Sequence, residues 1–150
     1  MNVDEQNRFQ LVDAIRSRNL SPADLDALNS IVAQNGPSQL VGDLICKEKA
    51  SGKNEDDAVS ETMLHLEWLA EIALSLACVL MVHLLPIAGR SFDHDVGDSI
   101  GLWICHNPSK EVARQLRLMA DAETELQTKK NYEGLAEFVE NTLRGESPGG

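Results

Sequence analysis

Apolar residues recur at helical spacing almost from the start of the chain. Phe9, Val12 and Ile15, with Leu11 beside them, form one stripe. Ser21-Pro22-Ala23-Asp24 then reads as a helix start. The serine can cap, the proline suits a first turn that needs no N–H, and the aspartate favours the positive end of the dipole. A second stripe runs through Leu25, Leu28, Ile31 and Val32 to Gly36, which can take the left-handed conformation that closes a helix. After Pro37, Leu40, Val41, Leu44 and Ile45 mark a third face. Ser51 to Asp57 is polar and reads as an exposed linker, in which Asn54 caps the longest element. The pattern extends that element to about Leu85, where Pro86 stops it.

From Ile87 to His106 the periodicity fails. Gly89, Gly97, Gly101 and four charges read as loop, and Ser99 to Cys105 fits either a short strand or a helical turn. Asn107-Pro108 opens a further helix with Val112, Leu116, Met119 and Leu126 on one side. A last helix carries Leu135, Phe138, Val139 and Leu143 and closes at Gly145. The expected fold is all-α: a compact bundle of five to seven helices around a central hydrophobic helix at about 69–85, with little or no sheet. One domain over 1–146 and a flexible tail over 147–150 are expected.

The 18 residues from Ile72 to Gly89 carry no formal charge, so a hydropathy window flags them as a membrane span. A buried core helix explains more, because the amphipathic stripes elsewhere need something to cover. Aromatics are only 4% of the chain, which makes that core aliphatic. Thirteen Lys and Arg against 24 Asp and Glu give a net charge of −11, which argues against a nucleic-acid backbone as the partner. Cys46, Cys78 and Cys105 lie too far apart for a disulfide framework, and Cys46 and Cys78 read as core. Met1 to Leu20 has no apolar secretory core, so a cytoplasmic location is expected.

Candidate chemistry concentrates in Phe92-Asp93-His94-Asp95-Val96-Gly97-Asp98 and Cys105-His106, since aspartate and neutral histidine are ordinary ligands of divalent metals. His94-Asp95 resembles the central dipeptide of the HD-domain phosphohydrolases, and His65-Leu66-Glu67-Trp68-Leu69-Ala70 is similar to that family's upstream histidine helix. The resemblance implies a divalent metal held by His65, His94, Asp95 and Asp121, and hydrolysis of a phosphoester or nucleotide. No phosphate loop or nucleophile elbow is written in the chain. Glu67 and Glu71 pair at i,i+4, Glu61 and His65 stand four apart, and His83 reads as a core histidine bonded to a carbonyl.

The leading expectation is a protein-binding module without a cofactor: a regulator, inhibitor, adaptor or chaperone, with nucleic-acid mimicry as one form of it. Phe92 and Trp103 are its expected anchors, being aromatic residues on non-periodic backbone. The seven-residue spacing of Val112, Met119 and Leu126 suggests a homodimer seam.

Overall fold

Over the first third of the chain, helix ends fall where the polar punctuation puts them. The computed structural model describes residues 3–88 and 94–145, so the tail expected over 147–150 lies outside them. α1 (Val3–Arg16) buries Leu11, Val12 and Ile15. α2 (Pro22–Asn35) begins with a reciprocal cap: the Asp24 N–H donates to Ser21 Oγ at 3.1 Å, and the Ser21 N–H donates to Asp24 Oδ2 at 2.9 Å. Gly36, at φ 87°, both closes α2 and opens α3 (Pro37–Ala50), a conformation that only glycine takes without strain. Leu40, Val41, Leu44 and Ile45 are all buried on α3. Asn54 Oδ1 accepts the Asp57 N–H at 2.8 Å and starts α4 (Glu55–Ile72).

The middle of the chain departs from the sequence pattern twice. The long apolar element is two helices, not one. Ala73, at φ −153° and ψ 72°, leaves the helical region, and α5 runs from Leu74 to Ala88 with Pro86 inside its last turn. Alanine is the strongest helix former, so no local signal marks this break. Its effect is tertiary: α4 and α5 pack against each other, which one continuous rod could not do. Residues 94–106, expected as loop or strand, form α6 (His94–His106). Ile100 and Ile104 are fully buried on it at i,i+4, while Gly97 and Gly101 occupy helical positions.

The last third holds α7 (Lys110–Ala122), capped by Ser109, and α8 (Leu126–Leu143), capped by the Glu125 carboxylate. The helix expected to reach Leu126 therefore ends at Ala122. Leu126 is exposed at the start of α8, whereas Val112 is fully buried in the core. No single stripe joins Val112, Met119 and Leu126, which removes the basis of the expected dimer seam.

Among the described residues there are eight helices and no strand, so the fold is all-α. The count exceeds the expected five to seven because of the Ala73 break and α6. Nine of the fifteen residues of α5 are buried, and it packs against α3, α4, α6 and α7. Among the described residues no helix is long and apolar enough to cross a membrane. At fifteen residues, α5 spans about 22 Å against a hydrocarbon slab of about 30 Å.

Candidate functional site

The buried stripe of α3 continues into a charge. Glu48 stands four residues after Leu44 and three after Ile45, which places it on the same face, and it is only 2% exposed. An ionised carboxylate there needs partners. It accepts hydrogen bonds from Arg16 Nε at 2.7 Å on Oε1 and from Lys53 Nζ at 2.9 Å on Oε2, and His65 Nε2 lies 2.9 Å from Oε1. Arg16 comes from the end of α1, Lys53 from the α3–α4 connection and His65 from α4. Burial pushes the Glu48 carboxyl up, but the hydrogen bonds from Arg16, Lys53 and His65, with the Arg16 charge, outweigh it and hold it at about 2.

His65 is itself buried, and its Nδ1 has no hydrogen-bond partner. Glu61, one turn earlier on α4, lies on the same side. One donor atom each from Glu48, Glu61 and His65 falls within 4.8 Å of the others, a set able to hold a metal ion. These residues line an open cavity of about 440 Å³ together with Asp13, Arg16, Ser17 and Lys53.

Of the residues the HD-like resemblance implies, only His65 belongs to this group. Asp121 is exposed near the end of α7, and among the described residues it is not a member. His94 and Asp95 begin α6, but their side chains lie outside the described part of the structure, as does Phe92. Trp103 is half-buried on α6 and packed against the core, not on irregular backbone, while its neighbour Leu102 is 59% exposed.

Other polar expectations resolve clearly. His83 Nε2 lies 2.8 Å from Gln115 Oε1 and Nδ1 lies 3.1 Å from Ser38 Oγ, so its carbonyl partner belongs to a side-chain amide. Cys78 is buried, Cys105 is half-buried, and burial pushes both thiols up. Cys46, read from sequence as core, is exposed because it falls off the Leu44–Ile45–Glu48 face of α3.

A second feature escaped the sequence reading. Leu64, Trp68 and Ile72 recur every four residues on α4, within about 80° of arc. Leu64 and Ile72 are 47% and 48% exposed, Trp68 between them is half-buried and, like Trp103, packed partly against the core, and Glu67 and Glu71 flank the stripe. The i,i+4 spacing is visible in the sequence, but Leu64 and Trp68 precede the helix expected as core at 69–85 while Ile72 lies within it, so the three do not read as one surface stripe. Comparison with models of protein families, with curated proteins and with solved structures finds no match to this chain.

Proposed function

We propose that the protein is a small acidic helical module that binds another protein through the outer face of α4. The observation that carries this reading is the Leu64–Trp68–Ile72 stripe, two large aliphatic side chains standing about half exposed on either side of a tryptophan. An apolar stripe at i, i+4 and i+8 is the surface by which one helix seats in a groove. Tryptophan at its centre supplies the anchor type that dominates binding energy. Leu74, just past the Ala73 break, extends the apolar surface beyond the end of α4.

Charge specifies the partner further. Glu67 and Glu71 border the stripe and the whole chain carries −11, so the complementary surface is apolar with a basic rim. Long-range attraction of that kind speeds encounter and depends on salt. The three cysteines are all free, which suits a reducing, cytoplasmic setting.

Photo-crosslinking tests the reading. A crosslinking residue at position 64 or 72 should capture one discrete protein in cells, and one at Asp121 should not. Trp68→Ala should abolish the adduct while leaving the helical signal intact. Equal labelling from 64 and 121, or no discrete adduct from 64 and 72, would overturn it.

A further inference from the structure

We infer that Glu48, Glu61 and His65 form a binding site for one zinc-class divalent cation, with the Lys53 ammonium as its competitor. The inference is independent of the α4 binding face. Its donors converge from two helices, Glu48 on α3 and the i,i+4 pair Glu61 and His65 on α4. His65 Nε2 and Glu48 Oε1 are 2.9 Å apart. Two ligands at about 2.1 Å from a dication, at angles between octahedral and tetrahedral, sit roughly 3.0–3.4 Å apart. A shift of a few tenths of an ångström converts the pair from hydrogen-bonded to co-ligating.

Two observations argue that the group is more than an ion-pair hub. Among the described residues the Glu61 side chain makes no hydrogen bond or ion pair, although it faces the buried Glu48 carboxylate. Arg16 and Lys53 are both engaged by Glu48, so a second carboxylate beside it has no cation of its own unless a further one joins it. His65 is more than nine-tenths buried and its Nδ1 is unmet, so the ring's one polar contact is at the Nε2 edge that faces Glu48.

Charge in the cavity agrees. Asp13, Glu48 and Glu61 line the cavity with Arg16 and Lys53, and Lys47 reaches Asp13 at 3.9 Å from outside the lining, so displacing Lys53 leaves one negative charge in excess. The imidazole nitrogen with two carboxylates suits zinc, cobalt or iron(II), whereas calcium and magnesium take oxygen alone. Arg16 Nε holds Oε1, the oxygen beside His65, and Lys53 Nζ holds Oε2. Lys53 lies on the connection between helices and is about one-third exposed, so it is the cation able to swing into solvent when a metal adds its charge to the carboxylate.

The test is calorimetric titration of the full, metal-free chain with zinc chloride, repeated with cobalt(II) read by its visible absorbance. One equivalent should bind. Glu61→Gln should weaken binding at least tenfold with no change in the melting temperature measured in EDTA, since Glu61 has no structural partner to lose. His65→Gln should weaken it by as much or more. Lys53→Met should tighten it several-fold by removing the competing ammonium. Absence of saturable binding, equal affinity in Glu61→Gln, or loss of binding on replacing the exposed Cys46 with serine would each overturn the site.

Discussion

His65 and Glu48 meet at 2.9 Å, 17 positions apart in the chain and on different helices. The four-residue connection between α3 and α4 turns the chain so that the buried faces of both helices meet, and this pair is where the two faces are polar. Arg16 adds α1 to the same carboxylate. One buried acid thus ties three helices together.

That arrangement predicts acid sensitivity. The Glu48 carboxyl is held at about 2 in the folded chain against 4.5 for the free group. Below 4.5 the unfolded chain takes up the proton first, so the contribution is complete above that value and disappears as pH falls toward 2. The shift corresponds to roughly 3 kcal/mol. Urea unfolding as a function of pH should show this loss, and Glu48→Gln should flatten that part of the profile while lowering stability at neutral pH.

His83 predicts a second, milder window. Burial lowers its pKa from 6.5, partly opposed by the hydrogen bond to Gln115. The folded chain therefore favours the neutral ring. Stability is fully present above 6.5 and declines as pH falls below it, because the unfolded chain binds the proton more readily. Melting temperatures recorded from neutrality to about pH 5 should fall in the parent and fall less in His83→Asn.

Leu80 sits fully buried on α5, the helix that packs against four others. Leu80→Ala should cost about 2–5 kcal/mol by the loss of packing and the cavity left. Leu80→Asp should prevent folding altogether, since an unpaired buried charge costs more than the total stability of most domains of this size can absorb. Circular dichroism of the soluble fraction checks both.

Glycines divide by backbone. Gly134 is an exposed interior position of α8 with nothing within 4 Å of an added Cβ, so Gly134→Ala should stabilise by about 0.5–1 kcal/mol. Gly36 has equal space but φ 87°, so Gly36→Ala should destabilise by about 1 kcal/mol. Thermal melts of the pair should move in opposite directions.

The sequence was most legible where local chemistry decides structure. Ser21-Pro22 and Asn54 mark helix starts because a cap is a contact between near neighbours. α6 was missed because Gly97 and Gly101 carry low helix propensity, while Ile100 and Ile104, the residues that hold the helix down, give only one i,i+4 step. The Ala73 break and the end of α7 at Ala122 are set by packing between helices, which no short window contains. At the candidate site, the Glu61–His65 spacing was readable, and so was the place of Glu48 on its helix face. That the two meet depends on the α3–α4 crossing, a relation across 17 residues. The HD-like reading failed to anticipate it because it sought partners for His65 downstream.

α2 is held more lightly than the rest. It buries one residue, Leu28, whereas α5 buries nine, and it rests on α1 and α3 at the edge of the bundle. Releasing α2 exposes Leu28 and the partly buried Leu25, Ala27, Ile31 and Val32, less apolar surface than the core around α5 holds, so it costs less than global unfolding. Its amide protons will accordingly exchange with deuterium by a local opening, sooner than those of α5 and with little dependence on denaturant. Gly36 marks the joint between α2 and α3, so α2 opens as its own unit while α1 stays tied to α3 and α4 through Arg16 and Glu48, and a protease added to the folded protein will cut within α2 first.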